Sequence, residues 1–228
     1  MFRADAAFSI SSARVVTPSG VTVRDSLLAG GDSDGIQSGV GVSIIGNEFR
    51  NIVQKGPNHT DAIQLLGASG ATIRGNYIHR SSTGIVAYDG LSASVIEDNV
   101  LVLTNRPWGI ELYSDDGSVI RHNTLKFGSC DFNLPCGQID LNRKSSDDAG
   151  RGTVVIDNVT TGVSIQGGAS ASARHNNLVR RSAASGDLVG VPEFAGGANP
   201  TSYAGFGLAE GSPGRRAASD GADIGRRP

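Results

Sequence analysis

A short pattern that recurs along the chain constrains its fold more than any other feature. In each copy an apolar residue is followed by two variable residues, an Asn, one variable residue and a second apolar residue, as from Ile44 to Phe49. The polar position falls at Ser26, Asn47, Asn76, Asn99, Asn123, Asn158 and Asn176. The intervals of 21, 29, 23, 24, 35 and 18 residues average near 25. Such uneven spacing indicates a constant coil with loops of variable length.

Each coil carries a second short apolar run with period-two alternation, which predicts a strand with one buried side. These runs begin at Gly35, Ala62, Gly84, Gly109, Gln138 and Gly162. Short strands of this kind bury their apolar side only when successive coils stack, with a spacing of about 4.8 Å. Glycine supplies 32 of the 228 residues, about twice the usual share of ~7%, as expected of a chain that turns often.

The repeated Asn has two expected roles. Asn tolerates the left-handed backbone conformation that a sharp corner between strands requires. Stacked at one corner, its amide also bonds coil to coil. The predicted interior stack is Ile44, Ile73, Ile96, Ile120 and Val155, with Phe49, Ile78, Leu101 and Leu125 beside it.

These repeats resemble the right-handed parallel β-helix superfamily, also called pectate-lyase-like, over about residues 20 to 180. The tail resembles the ending common in bacterial members, at 186–189, 192–194, 211–213 and 219–225. The resemblance implies an all-β fold, a right-handed parallel β-helix of about six to seven coils. We expect residues 1–181 to form the β-helix and residues 182–228 an irregular C-terminal cap of the same domain.

Charge and apolar content exclude some partners. The formal net charge is −2 and no basic stripe is visible, so we expect no nucleic-acid partner. No apolar run approaches the ~20 residues that span a bilayer, and the first residues lack the apolar stretch of a signal peptide. Cys130 and Cys136 form either a local disulfide or two free thiols. A disulfide would indicate an oxidising compartment, and we expect a secreted, cell-surface or periplasmic protein.

One predicted outer strand face contains carboxylate, amide and aromatic side chains together. Since side chains alternate along a strand, the residues that follow the buried apolar ones form the outer row Gln37, Gln64, Val86, Glu111, Asp140 and Ser164. A second row holds Gly39, Leu66, Tyr88, Tyr113, Asn142 and Gln166, and Asp34, Asp61, Thr83 and Trp108 precede the strands. Aromatic rings stack on sugar faces and planar polar groups bond hydroxyls. The predicted sugar-binding residues are Asp61, Gln64, Trp108, Glu111, Tyr113, Asp140 and Asn142; an ordinary solvated surface is the alternative.

The segment 57–64 leads directly onto this face and includes His59 and Asp61. His59 can act as an acid or base near neutral pH, and Asp61 can orient it. Asp34 occupies the matching place one coil earlier, so Asp34 and Asp61 are candidate ligands for Ca²⁺. Alternatively, the two Asp residues close turns through backbone hydrogen bonds. His79, His122 and His175 are interpreted as surface or turn residues.

The resemblance implies specific catalytic groups. Polysaccharide lyases of this superfamily neutralise the carboxylate of an acidic sugar with a cation and abstract its C5 proton with Lys, Arg, His or Tyr. Candidates are His59, Arg80, Tyr88, Tyr113, Arg143 and Lys144, of which His59, Tyr88, Arg143 and Lys144 are our catalytic set. Alginate epimerases combine His, Tyr and Asp, as in His59, Tyr88 and Asp89. Hydrolases of this fold use two or three Asp residues on adjacent coils. Candidates for the same role here are Asp61, Glu111 and Asp140.

The sequence therefore predicts an extracellular polysaccharide-active monomer, a lyase or C5-epimerase of an acidic, uronate-containing glycan. A glycoside hydrolase is a further enzymatic possibility. The alternatives outside catalysis are a glycan-binding or adhesion module, a fragment of a larger surface protein, or a structural solenoid without a ligand.

Overall fold

Three parallel sheets wind around one axis in a computed structural model that describes residues 15–17, 19–131, 134–144 and 148–228. Sheet A contains Val15–Thr17, Ile36–Ser38, Asp61–Leu65, Thr83–Ala87, Trp108–Tyr113, Gln138–Asn142 and Gly162–Ile165. Sheet B contains Thr22–Arg24, Ser43–Ile45, Thr72–Arg74, Val95–Glu97, Val119–Arg121, Thr153–Ile156 and Ala171–His175. Sheet C contains Leu27–Ala29, Glu48–Arg50, Tyr77–Ser81, Val100–Leu103, Thr124–Leu125, Val159–Thr160, Leu178–Val179 and Leu188–Val189. The predicted parallel β-helix is confirmed.

Shorter elements complete the described chain. Ala68–Ser69, Leu91–Ser92 and Asp115–Asp116 form a small parallel sheet between sheets A and B. Gly128–Ser129 pairs antiparallel with Pro135–Cys136, and Ala204–Phe206 is a 3₁₀ helix. Cys130 and Cys136 form a disulfide that closes the loop between these two antiparallel strands. The part of the predicted coil region before residue 15 lies outside the described residues.

The interior is formed by the apolar stacks that the pattern predicts. Ile44, Ile73, Ile96, Ile120 and Val155 are 0% exposed. Phe49, Ile78, Leu101 and Leu125, also fully buried, lie beside them. Each stack runs through strands paired in register, such as Ile44 with Ile73 and Ile96 with Ile120. Both predicted stacks are therefore confirmed.

A ladder of Asn side chains runs through the corner between sheets B and C. The Asn99 Nδ2 donates to Asn123 Oδ1 at 2.9 Å and to the Ile73 carbonyl at 2.9 Å. Its own Oδ1 accepts from the backbone N–H and the Nδ2 of Asn76. Equivalent bonds connect Asn47, Asn76, Asn99, Asn123, Asn158 and Asn177. The predicted bonding between coils is present.

Two details of the predicted ladder are wrong. The last rung is Asn177, whose Oδ1 accepts from Asn158 Nδ2 at 3.0 Å, and Asn176 stands one place earlier. The left-handed corner residue is also the one before each ladder Asn, because Asp98, His122 and Asn176 have φ of 56°, 53° and 55°. The ladder Asn is therefore selected for its inward amide, and its neighbour makes the turn.

The C-terminal tail lies along the outer face of sheet C. Phe194, Phe206, Leu208 and Ile224 pack on Val100, Val159 and Leu178, the outward residues of that sheet. Arg227 binds the Asp98 carboxylate through Nε at 2.9 Å and Nη2 at 2.7 Å. Strand Leu188–Val189 also extends sheet C beyond residue 181, where the sequence places the end of the coils.

Candidate functional site

The outer face of sheet A has the predicted register. Gln37 pairs with Gln64, Gln64 with Val86, Val86 with Glu111, and Glu111 with Asp140. Asp61 pairs with Thr83, and Tyr113 with Asn142. Residues separated by more than 70 positions in sequence therefore share one surface, because each coil adds one strand to it.

A groove of about 340 Å³ lies in this face and is called the sheet A groove. Its lining residues come from three neighbouring strands or the segments beside them: His59, Asp61, Val86, Tyr88, Trp108, Glu111 and Tyr113. Six of the seven were singled out from sequence as catalytic or sugar-binding residues. Val86, in the predicted outer row, is the one without an assigned role.

At one end of the groove His59 is held by a buried carboxylate. His59 Nδ1 lies 2.9 Å from Asp61 Oδ2, and Thr83 donates its hydroxyl to Asp61 Oδ1. The Asp61 backbone N–H donates to Asp34 Oδ1 at 2.9 Å. With the proton on Nδ1, Nε2 is the ring nitrogen that accepts one. Thr83 was predicted to precede its strand, whereas it is the first residue of Thr83–Ala87 and acts here as a partner of Asp61.

At the other end Glu111 is a carboxyl group with an altered proton affinity. Burial raises the pKa of Glu111 to about 7, the Tyr113 hydroxyl opposes this rise, and the nearby Asp140 carboxylate adds to it. Tyr113 donates to Glu111 Oε1 at 2.9 Å. Glu111 therefore exchanges its proton near neutral pH, as a general acid must.

Asp140 lies beside Glu111, in register on the next strand of sheet A. It is 8% exposed and its Oδ2 has no hydrogen-bond partner among the described residues. Burial raises the pKa of Asp140 to about 6, against the opposing hydrogen bond from Ser164. An unpartnered buried carboxylate oxygen is costly when charged, so Asp140 contributes to the same cluster of weakly acidic carboxyl groups.

Aromatic rings form the wall of the groove. Tyr88 and Tyr113 meet edge to face, with ring centroids 4.7 Å apart. Lys144 lies 4.4 Å from the Tyr88 ring centroid and forms an ion pair with Asp89. Tyr88 is 40% exposed, and such an exposed ring offers a surface on which a sugar ring can stack.

Some of the predicted catalytic and sugar-binding residues lie outside the groove lining: Gln64, Asp140, Asn142, Arg143 and Lys144. Gln64 is buried and accepts a hydrogen bond from Gln37 Nε2. Asp140 lies beside Glu111, and Asn142 Oδ1 accepts from the exposed Arg143 backbone N–H at 2.8 Å. Arg143 and Lys144 follow the end of their sheet A strand, and neither lines the groove.

The predicted calcium ligands Asp34 and Asp61 lie in a group that also contains an imidazole, that of His59. Donor atoms of Asp34, His59 and Asp61 all lie within 4.8 Å of one another. Both Asp34 oxygens accept hydrogen bonds, from Gln37 and from the Asp61 backbone. Ca²⁺ takes six to eight oxygen ligands, whereas an imidazole with carboxylates suits transition ions. The residues present fit Ca²⁺ poorly, and the chemistry below uses no metal.

Among the described residues no helix is long and apolar enough to cross a membrane. The chain matches a family model described as right handed beta helix region over residues 9–191. No curated protein and no solved structure matches it. Because the family model covers most of the sequence and the strands have the parallel three-sheet topology of that fold, the chain belongs to the right-handed β-helix family.

Proposed function

We propose that this protein is an extracellular enzyme that acts on a uronate-containing polysaccharide by abstracting the C5 proton, as a lyase or a C5-epimerase. The observation that carries the proposal is the convergence of His59, Tyr88, Trp108 and Glu111 in one groove. A base, a hydroxyl acid, a sugar-stacking ring and a carboxyl group of raised pKa together match the needs of that reaction.

Each group has a part in the proposed reaction. Protonated Glu111 hydrogen-bonds the C6 carboxylate and so stabilises the negative charge that develops when C5 loses its proton. His59, oriented by Asp61, takes that proton on Nε2. In a lyase the C4–O bond then breaks and Tyr88 protonates the departing oxygen. In an epimerase Tyr88 returns a proton to the opposite face of C5.

Glycoside hydrolysis is a second candidate, favoured by one observation. The Glu111 pKa of about 7 is also that of a general acid able to protonate a glycosidic oxygen, with a second carboxylate as base or nucleophile. Asp61 and Asp140 are the buried carboxyl groups on either side of Glu111 in sheet A, and both raise its pKa.

The proposed location is outside the cell, and the proposed form is a monomer. The Cys130–Cys136 disulfide supports the location, since such bonds persist in oxidising compartments.

The test is incubation with alginate, pectate and glycosaminoglycans, followed by ultraviolet absorbance for unsaturated sugar, NMR for uronate composition and a reducing-end assay. We expect either unsaturated product or altered uronate composition, abolished in His59→Ala and Tyr88→Phe. New reducing ends without unsaturation would support the hydrolase. Binding of a glycan with no product in any assay would contradict catalysis and favour a binding or adhesion module.

A further inference from the structure

A second groove lies on sheet C, at the edge of the C-terminal tail. Two adjoining hollows of about 450 Å³ each share Glu48, Tyr77, His79 and Thr201. Arg50 and Arg80 line one of them. We call this surface, defined by Glu48, Arg50, Tyr77, His79, Arg80 and Thr201, the sheet C groove. The sequence assigns this surface no role as a whole: Arg80 is a candidate base for proton abstraction, which the structure places here and away from the sheet A groove lining, and His79 is interpreted as a surface or turn residue.

The groove has a fixed floor. The rings of Tyr77 and His79 stack with centroids 4.3 Å apart and an angle of 13° between their planes. His79 Nε2 lies 3.0 Å from Glu48 Oε1, and Arg50 Nη1 lies 3.8 Å from the same oxygen. Phe206 of the tail packs against Tyr77 from another direction, at 6.1 Å between ring centroids. These contacts hold the polar groups in place before any ligand arrives.

Arg80 interacts electrostatically with the Tyr77 hydroxyl and opposes the rise in the pKa of Tyr77, but no carboxylate in the described lining of this groove pairs with it. Within the described parts of the chain its side chain forms no hydrogen bond and no ion pair. It occupies an irregularity in the strand pairing between His79 and Ser81, with a left-handed φ of 51°. A bulge of this kind changes the direction of a side chain relative to the regular strand. The exposed guanidinium is therefore available to an external anion.

The two grooves differ in charge. Among the described residues, the lining of the sheet A groove includes two carboxyl groups, Asp61 and Glu111, and no Lys or Arg. In the sheet C groove two guanidinium groups face one carboxylate, that of Glu48. At neutral pH a polyanion is therefore attracted more strongly to the sheet C groove, since guanidinium groups bind planar oxyanions with two parallel hydrogen bonds.

We infer that the sheet C groove is a second binding site, which takes a carboxylate of the acidic polysaccharide between Arg80 and Arg50. The choice of polymer rests on the proposed function, whereas oxyanion binding at Arg80 does not. A chain held here stays near the protein between encounters with the sheet A groove, because two linked sites raise the effective concentration of the polymer.

The test is an NMR titration of the full chain with trigalacturonate at low ionic strength. We expect shifts at the backbone amides of residues 48–51, 77–81 and 201–203, and affinity about tenfold weaker in Arg80→Gln, since a charge-assisted contact is lost. Arg216→Gln is the matched control, because Arg216 is also exposed with a left-handed φ of 52°. Glu48→Gln should tighten binding several-fold by removing the opposing carboxylate.

Unchanged affinity in Arg80→Gln, or an equal loss in Arg216→Gln, would overturn the site. Inorganic sulfate is titrated in parallel, and sulfate that binds as tightly as trigalacturonate would overturn the assignment to a uronate. Trp108, the only Trp in the chain, reports on the sheet A groove by fluorescence. Failure of the proposed function, seen as lack of turnover, is therefore distinguishable from failure of this inference.

Discussion

At the scale of single residues, Glu111 governs how the proposed chemistry depends on pH. Its pKa of about 7 is raised mainly by burial, so the carboxyl group is protonated below that pH and charged above it. Because the protonated form is the one that stabilises charge on the substrate, turnover should fall as pH rises through about 7. A pH–rate profile of kcat measures this alkaline limb.

Glu111→Gln separates the two enzymatic candidates. An amide donates hydrogen bonds at every pH but transfers no proton. A lyase or epimerase variant should keep activity within about tenfold and lose the alkaline limb near pH 7, as expected when one hydrogen bond is replaced by another. A hydrolase variant should lose its activity. A lyase whose alkaline limb persists in Glu111→Gln would show that another group titrates there.

Substitution of an Asn in the ladder should lower the stability of the protein without altering the chemistry of the sheet A groove. Asn99→Ala removes the side-chain partner of the Ile73 carbonyl and of the Asn76 backbone N–H, and it takes one hydrogen bond from each of the two neighbouring ladder amides. We expect the free energy of unfolding to fall by about 2–4 kcal/mol, since each buried group left unpaired costs ~1–3 kcal/mol. Urea unfolding measures the change, with the exposed Asn58→Ala as control. Equal stability of the two variants would refute the ladder as a source of stability.

At the scale of elements, the glycines of sheet A set how closely strands approach the interior. A Cβ on Gly84 would lie 2.1 Å from the Gly109 carbonyl oxygen and 2.4 Å from Leu101 Cδ2. Gly84→Ala should therefore lower the free energy of unfolding by about 1–3 kcal/mol through overpacking. Gly39→Ala is the control, because no atom of the described residues lies within 4 Å of its added Cβ. A loss no larger than that of the control would mean that the backbone adapts.

The element patterns also show what sequence can predict here. Period-two alternation was enough to place Glu111 beside Asp140 and Val86 beside Gln64, because parallel coils transmit one register through the whole sheet. The ladder failed by one position at its last rung, since Asn176 and Asn177 are adjacent and the pattern alone does not choose between them. Raised pKa values were not predictable, because the burial that causes them involves several coils at once.

At the scale of the whole molecule, the tail could not be placed from its sequence. Its Gly, Ser, Pro and Ala content has no periodicity, and its position depends on separate apolar anchors such as Phe194 and Phe206. Sequence predicts an irregular tail of the same domain, and the structure adds that these anchors pack on the outer face of sheet C.

Phe206→Ala tests how the tail is coupled to the coils. Phe206 is 1% exposed and contacts Phe194 and Tyr77. Its truncation should weaken tail docking by about 3–5 kcal/mol. Because each coil is held by its neighbours, hydrogen exchange should accelerate in residues 191–228 while amides of sheet A stay protected. Uniform acceleration in both regions would show that tail and coils unfold as one unit.

The register of sheet A also gives the groove a discrete geometry. His59 and Asp61 belong to one coil and Glu111 to another, with the strand Thr83–Ala87 between them. Their separation is therefore counted in whole strands, two steps of about 4.8 Å. In a protein built in this way the distance between the base His59 and the carboxyl group of Glu111 changes in steps of whole coils. As long as the number of coils between two groove positions is unchanged, substitutions can replace the side chains there while the distance between the two positions along a bound sugar chain stays the same.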